Sequence, residues 1–119
     1  MSKKGILIIG AGGVSRVATV KCAMNIDTFE KITLASRTVS KCESMAADIL
    51  KNQGVKIDVA SVDADNVDEL VKLIEKVNPK LVLNVALPYQ DLTIMDACTK
   101  CGVDYVDTAN YEHPDVAQF

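Results

Sequence analysis

The sequence is poor in aromatic residues, has no tryptophan and contains a single histidine. Aromatic residues make up 4% of the 119 residues, so the core has to be built from aliphatic side chains, which suit a buried parallel sheet. No apolar run approaches the ~20 residues that a bilayer-spanning helix requires, so we expect no membrane partner. The net charge of −3, without a stripe of basic residues, argues against a nucleic-acid partner.

The scarcity of histidine also limits metal chemistry. A zinc site built on the CxxC of Cys98 and Cys101 would need a second ligand pair, and we expect His113 to be a surface residue. Cys42 and the CxxC pair fall on apolar faces of predicted helices. Their neighbours are Met45, Ala46, Ile49 and Leu50 on the first face, and Leu92, Ile94, Met95 and Ala97 on the second. The cysteines, Cys22 included, therefore resemble small hydrophobes in a reducing compartment. Since the N-terminus leads directly into a strand, without room for a signal peptide, we expect a cytoplasmic protein.

Strands and helices alternate along the chain with short connections. The predicted strands are 6–9, 32–35, 55–62, 81–87 and 104–107, and the predicted helices are 14–24, 40–52, 67–77 and 91–101. A capping-box pattern from Ser40 to Glu43 predicts the start of the second helix, while Gly54, Pro79 and Gly102 predict helix ends. Residues 1–119 are therefore predicted to be one α/β domain, a Rossmann-type doubly wound parallel sheet in the order 3-2-1-4-5.

A glycine-rich turn follows the first predicted strand and precedes the first helix. This arrangement of strand, glycine turn and helix holds the pyrophosphate of dinucleotides. Gly10 permits the tight turn, Gly12 has no side chain to block the pyrophosphate, and Gly13 adds room. Ser15 stands where a third glycine is usual, and it is small enough for close helix–strand packing. The turn predicts a dinucleotide site, and the alternative is a plain βα turn.

The end of the second predicted strand indicates which dinucleotide binds. An NAD-specific site has Asp or Glu about 20 residues past the glycines, to bind the ribose 2′-OH. This chain has Ser36, Arg37 and Thr38 there, and a guanidinium between two hydroxyls suits a 2′-phosphate. The only other arginine, Arg16, lies just after the glycine turn. NADP(H) is therefore favoured. The alternative is a solvated Arg37 beside two residues that only cap the next helix.

Further candidates lie at the carboxyl ends of the other strands, where ligands of open parallel sheets bind. Asp63 follows the third strand and either borders the adenine or is a loop residue. Ala86, Leu87 and Pro88 end the fourth strand, and small residues there would let the ribose and nicotinamide pass. Residues 107–110 end the fifth strand and either reach the nicotinamide side or form an Asx turn.

Four segments together resemble the N-terminal NADP-binding part of the saccharopine dehydrogenase-like family. They are 6–14, 34–42 (LASRTVSKC), 83–89 (LNVALPY) and 105–111 (YVDTANY). The glycine turn is shared by many families, whereas the SRT and DTANY segments are much more specific to this family. The resemblance assigns Gly10, Gly12, Gly13 and Val14 to the pyrophosphate, Ser36, Arg37 and Thr38 to the 2′-phosphate, and Ala86, Leu87 and Pro88 to the nicotinamide end.

The resemblance also implies an activity. It is nearest to the branch of the family that forms carboxynorspermidine, in polyamine biosynthesis. There, aspartate β-semialdehyde and a diamine form an imine, which NADPH reduces to carboxynorspermidine or carboxyspermidine. Family members are a few times longer, so we expect this chain to be the cofactor-binding part of a homodimeric enzyme. The small-molecule substrate would then be held by a domain outside the chain, with no catalytic residue within it, and the open edge of the fifth strand would promote self-association.

Two alternatives stay open. One is a saccharopine reductase of lysine metabolism, which shares the coenzyme domain. The other is a stand-alone nucleotide-sensing domain of the kind that gates potassium transporters. An acidic residue is usual after the second strand of such sensors, whereas this chain has Ser36, Arg37 and Thr38.

Overall fold

The computed structural model describes residues 5–24, 31–85 and 91–107, in which strands and helices alternate as predicted. The strands are β1 (Gly5–Ile9), β2 (Lys31–Ser36), β3 (Asp58–Ser61), β4 (Leu81–Asn84) and β5 (Asp104–Asp107). The helices are α1 (Gly13–Met24), α2 (Val39–Gln53), α3 (Val67–Val77) and α4 (Asp91–Cys101). Within these residues, no helix is long and apolar enough to cross a membrane.

The strands form one parallel sheet in the order β3-β2-β1-β4-β5, which confirms the predicted topology. The central strand is β1, whose Ile6 pairs with Ile32 of β2 and with Leu81 of β4. Every residue of β1 is buried, and this explains why the strand is an unbroken apolar run in the sequence. Because all strands are parallel, their carboxyl ends meet at one edge of the sheet, where the glycine turn begins.

Alternate residues of the strands pack into two cores, one on each side of the sheet. The core on the side of α1 and α2 includes Ile6, Ile8, Ile32, Leu34, Cys42, Met45 and Ile49. The core on the side of α3 and α4 includes Leu7, Ile9, Leu70, Ile74, Val82, Ile94 and Cys98. Both are aliphatic, as the low aromatic content predicts. The predicted helix faces were too wide, since Leu50, Leu92 and Met95 are exposed.

Three helices end at residues with left-handed backbone geometry. Gly54, Asn78 and Gly102 have φ of 69°, 52° and 68°. The Gly54 N–H donates to the Leu50 carbonyl at 3.0 Å, and the Asn78 N–H donates to the Ile74 carbonyl at 2.7 Å. These bonds close the last turns of α2 and α3. The helix ends predicted from Gly54, Pro79 and Gly102 are confirmed.

The third strand is shorter than predicted. It starts at Asp58 rather than residue 55, with Asp58 beside Thr33 of β2. Continuing this register would place Lys56 beside Lys31, and like charges on neighbouring strands oppose pairing. The predicted strand 81–87 is observed as Leu81–Asn84, and residues 86 and 87 lie outside the described residues.

The capping box predicted at Ser40 is wrong. Helix α2 begins at Val39, with Thr38 at the N-cap position and without a side-chain capping bond. A turn held by Ser36 starts the helix early, since the Ser36 hydroxyl accepts from the Thr38 N–H at 3.1 Å and donates to the Thr38 carbonyl at 2.9 Å. A side-chain cap instead opens α3, where the Asn66 amide oxygen accepts from the Glu69 N–H at 3.1 Å.

Candidate functional site

The glycine turn joins the central strand to α1 and needs a glycine at its first position. Gly10 has φ of 119°, which side-chain-bearing residues rarely adopt. Its N–H donates to the Ala35 carbonyl at 2.8 Å, so the turn is tied to the end of β2. The two predicted parts of the site, the glycine turn and the Ser36–Thr38 turn, therefore lie side by side.

The packing of the protein itself does not require glycine at positions 12 and 13. A Cβ added to either would meet no heavy atom within 4 Å, so the fold itself leaves this space open. Helix α1 begins at Gly13 and has no acidic residue in its first turn, while Val14 is exposed beside it. The N–H groups at the start of a helix attract anions. The open backbone and the helix start together fit a diphosphate.

Ser15 does more than the sequence analysis predicted. It is fully buried, and its hydroxyl donates to the Gly10 carbonyl at 2.5 Å. This bond fastens the first turn of α1 to the glycine turn, a role that the usual glycine cannot perform. The sequence signal for this hydrogen bond is a hydroxyl side chain five residues after the first glycine.

Arg37 stands in the turn between β2 and α2 and makes two ion pairs. Its guanidinium donates to the Asp63 carboxylate at 2.8 Å and to the Asp65 carboxylate at 3.3 Å. Hydrogen bonds from Arg37 and from the Asp65 N–H lower the pKa of Asp63, and the two carboxylates raise the pKa of Arg37. The structure thus brings two predicted residues, Arg37 and Asp63, together, and it adds Asp65, which the sequence analysis missed.

The ion pairs of Arg37 are accessible to solvent. The Arg37 side chain is 68% exposed, and those of Asp63 and Asp65 are 40% and 59% exposed. Exposed ion pairs contribute little to stability because water screens them. A phosphate dianion can therefore compete with the carboxylates for the guanidinium, as a 2′-phosphate site requires.

Ser36 and Thr38 flank Arg37 but do not cap α2 with their side chains. The Ser36 hydroxyl is occupied by the local turn with Thr38, and the Cys42 thiol also donates to it at 3.4 Å. Thr38 is exposed at the N-cap position. Thr38 is thus the N-cap residue of α2 without a side-chain capping bond, and the assignment of Ser36 and Thr38 to the 2′-phosphate stays a prediction. The hydroxyl of Ser36 has a structural task that the sequence analysis did not predict.

A cleft of about 290 Å³ separates the glycine turn from α2. It is lined by Ala11, Gly12, Gly13, Arg16, Lys41, Ser44 and Met45. Arg16 is held at its side by an ion pair with Asp48 of α2, at 3.0 Å. Lys41 and Ser44 were not among the predicted site residues, because only the folded arrangement of α1 and α2 brings them beside the glycine turn.

Polar side chains also meet at the carboxyl ends of β4 and β5. The buried Asn84 amide donates to the Tyr105 hydroxyl at 3.0 Å, and that hydroxyl donates to the Asp107 carboxylate at 2.7 Å. The expectation that the ends of these strands share one edge is confirmed. The predicted residues Ala86, Leu87 and Pro88, together with 108–110 and His113, lie outside the described residues.

The cysteines are free thiols with structural positions. Cys22, Cys42 and Cys98 are buried, and Cys101 is half-buried. Burial raises the pKa of all four, and that of Cys98 reaches about 11. A raised pKa leaves less thiolate at neutral pH, so burial makes these thiols poorer nucleophiles. The interpretation of the cysteines as small hydrophobes is confirmed for the three buried ones.

Comparison with known proteins identifies the domain. Residues 6–119 match the family described as the saccharopine dehydrogenase NADP binding domain. The chain belongs to this family. Its cofactor is NADP(H). The open glycine turn and the start of α1 fit the diphosphate of that dinucleotide, and the exposed arginine after β2 fits its 2′-phosphate.

Relatives of this NADP-binding domain include enzymes of known name. Carboxyaminopropylagmatine dehydrogenase of Synechocystis is 53% identical over 114 residues, covering 96% of this chain and 28% of the relative. Carboxynorspermidine synthase of Vibrio alginolyticus is 46% identical over 109 residues, covering 87% of this chain and 26% of the relative. The chain thus spans about a quarter of the length of these two relatives.

Solved structures show the same fold for the NADP-binding domain. Apo saccharopine dehydrogenase of Saccharomyces cerevisiae has a TM-score of 0.71 and 20% identity, covering 93% of this chain and 22% of that protein. At this identity the likeness shows the fold alone.

Proposed function

We propose that this chain is the cofactor domain of an NADPH-dependent oxidoreductase of polyamine biosynthesis. The enzyme would reduce an imine formed between aspartate β-semialdehyde and an amine. The observation that carries the proposal is Arg37 at the end of β2, where an NAD-specific domain has an acidic residue. The relatives at 53% and 46% identity, named for carboxyaminopropylagmatine and carboxynorspermidine, support this reaction class.

The residues of the chain would bind and orient the cofactor. Gly10, Gly12, Gly13 and Val14 would hold the diphosphate at the start of α1. Ser36, Arg37 and Thr38 would hold the 2′-phosphate, with Asp63 beside the adenine. Ala86, Leu87 and Pro88 would line the nicotinamide end. When bound, the cofactor would supply the hydride that reduces the imine carbon, and the imine nitrogen would take up a proton from solvent. Holding the imine against the nicotinamide needs a second wall, which we assign to a substrate domain outside this chain.

The two relatives differ in the amine that their names indicate, so the amine is the least specific part of the proposal. The first name points to agmatine as the amine, and the second points to a short diamine, since norspermidine itself contains the aminopropyl group that the semialdehyde would supply; both amines are cations. The saccharopine reductase alternative has weaker support, because the likeness to saccharopine dehydrogenase is at 20% identity. We further propose a cytoplasmic, homodimeric enzyme, since free cysteines are typical of a reducing compartment.

The first test concerns the cofactor. Calorimetric titration of the purified chain should show NADPH binding at least about tenfold tighter than NADH, equivalent to about 1.4 kcal/mol. Arg37→Ala should remove this preference by weakening NADPH binding alone. Lys72→Ala is the matched control, because it removes an exposed cation from α3, on the other side of the sheet. Equal binding of both dinucleotides would overturn the assignment of Ser36, Arg37 and Thr38.

The second test concerns the reaction and uses the full-length protein that carries this domain. NADPH oxidation should require aspartate β-semialdehyde together with agmatine or a short diamine. Oxidation with aminoadipate semialdehyde and glutamate instead would favour the saccharopine reductase alternative. Nucleotide binding without NADPH oxidation for any of these pairs would favour the nucleotide-sensing alternative.

A further inference from the structure

The cleft beside the glycine turn has two cations in its lining, and they differ in their partners. Arg16 is paired with Asp48 of α2 at 3.0 Å. Within the described part of the chain, Lys41 has no carboxylate at ion-pair distance. The charge of Lys41 is therefore the one that the cleft offers to a bound group.

The arginine in the turn before α2 provides its charge only in competition with two carboxylates. Arg37 is shared between Asp63 and Asp65, so these three groups together carry one net negative charge. A 2′-phosphate with close to two negative charges would approach Arg37 against both carboxylates. A further cation on the side of the site away from Asp63 and Asp65 would favour its binding. Lys41 lies on α2, which begins directly after the Arg37 turn.

The position of Lys41 in its helix is slightly unfavourable for the stability of the folded state. Lys41 is in the first turn of α2, where no acidic residue balances it and no side chain caps the helix. The positive end of the helix dipole disfavours a cation at this place. A bound anion would reverse that effect, because the ammonium and the first N–H groups of α2 would then face a negative charge.

We propose that Lys41 is a specificity-determining residue of the cofactor site, whose ammonium binds the 2′-phosphate of NADPH from the α2 side. This proposal rests on the proposed 2′-phosphate site at Ser36, Arg37 and Thr38. The hydroxyl of Ser44, three residues after Lys41 in α2, also lines the cleft. Lys41 would thus add to Arg37 a second cation, one that no carboxylate shares, from the cleft on the α2 side.

The test is a pair of titrations on matched variants of this chain. Lys41→Gln should weaken NADPH binding about tenfold and leave NADH binding within about twofold of the wild type. Lys51→Gln is the control, because it removes the same charge from the last turn of the same helix and should leave both affinities unchanged. Lys41→Arg should retain most of the affinity for NADPH. Circular dichroism of each variant checks that the helices are intact.

Two outcomes would overturn the role of Lys41. NADPH affinity that is unchanged in Lys41→Gln would remove the residue from the site. Equal weakening of NADPH and NADH would place Lys41 at the diphosphate instead. Both outcomes are distinct from failure of the proposed function, because the wild type and Arg37→Ala report on that independently. A wild type without preference for NADPH would overturn the whole 2′-phosphate site.

Discussion

Two buried hydroxyl groups, on Ser15 and Thr33, differ in whether they have a hydrogen-bond partner. The Ser15 hydroxyl donates to the Gly10 carbonyl and so holds the glycine turn against α1. The Thr33 hydroxyl, in the middle of β2, has no partner among the described residues. A satisfied buried hydroxyl stabilises a fold, whereas an unsatisfied one costs free energy. The two residues therefore form a natural pair for comparison.

Replacing each with an apolar residue should change stability in opposite directions. Ser15→Ala should lower the free energy of unfolding by about 1 kcal/mol, because it leaves the Gly10 carbonyl without its donor. Thr33→Val should raise it by about 1 kcal/mol, because a methyl group replaces an unpaired hydroxyl of nearly the same size. Urea unfolding measures both changes as midpoint shifts at constant slope. A Ser15→Ala midpoint equal to the wild type would show that the hydrogen bond contributes nothing.

For single residues, the sequence predicts roles that depend on the local backbone, and it misses contacts between residues that only the fold brings together. Gly10 was predictable because a tight βα turn needs a residue without a Cβ. The contact of Arg37 with Asp65 was missed because the two are far apart in sequence and meet only when β2 and β3 pair. Lys41 was missed for the same reason, since its place in the cleft depends on how α1 and α2 pack.

The helices differ in how their first turns are satisfied. Helix α3 has a side-chain cap from Asn66 and two acidic residues, Asp68 and Glu69, in its first turn. Helix α2 has neither feature. A capping pattern was predicted from the sequence only at Ser40, whereas the structure has its side-chain cap at Asn66. Whether such a pattern is used depends on the preceding turn, and the Ser36 turn places the start of α2 before Ser40.

This difference gives a prediction about two similar substitutions. Asn66→Ala should lower the free energy of unfolding by about 1 kcal/mol, because the Glu69 N–H loses its acceptor. Ser40→Ala should leave stability unchanged or raise it slightly, since Ser40 is inside the helix and alanine is the better helix former. Thermal or urea unfolding of the two variants compares them directly. Equal destabilisation by both would mean that Ser40 also caps a helix.

The whole sheet follows from rules that the sequence expresses clearly. Alternating elements, a glycine turn after the first strand and right-handed crossovers leave few arrangements besides 3-2-1-4-5. The strand ends were less predictable, because they depend on pairing: β3 begins only where its register with β2 no longer sets Lys56 against Lys31. The order of the strands was therefore predicted correctly and the length of β3 was not.

The two sides of the sheet are covered unequally in the described part of the chain. On the side of α1 and α2, Leu83 of β4 is only partly buried, and its partner Val106 of β5 is 49% exposed. Exposed Val14 and Val17 of α1 add to the apolar surface of the domain. An apolar surface beside an open strand edge favours association between molecules.

We therefore expect the purified chain to self-associate at high concentration. Size-exclusion chromatography with light scattering, at a low and a high protein concentration, should show a rising average mass. Val106→Lys should reduce this rise, because a charge on an edge strand opposes pairing between copies. Lys100→Gln, which changes the charge on α4 instead, is the control. A monomer at every concentration would contradict the expectation.

The central position of β1 has a consequence for how the protein is made. The strand Gly5–Ile9 leaves the ribosome before the other strands of this sheet, yet one of its two neighbours, β4, begins only at Leu81. At about 5–20 residues per second, several seconds of synthesis separate the two strands. During that interval β1 can pair with β2 and be covered by α1 and α2, while its other edge and its Leu7 and Ile9 side chains remain without their partners. The nascent chain thus passes through a partly formed sheet in which β1, its most apolar strand, is an edge strand. At this stage the exposed apolar surface is the part of the chain that a chaperone would bind.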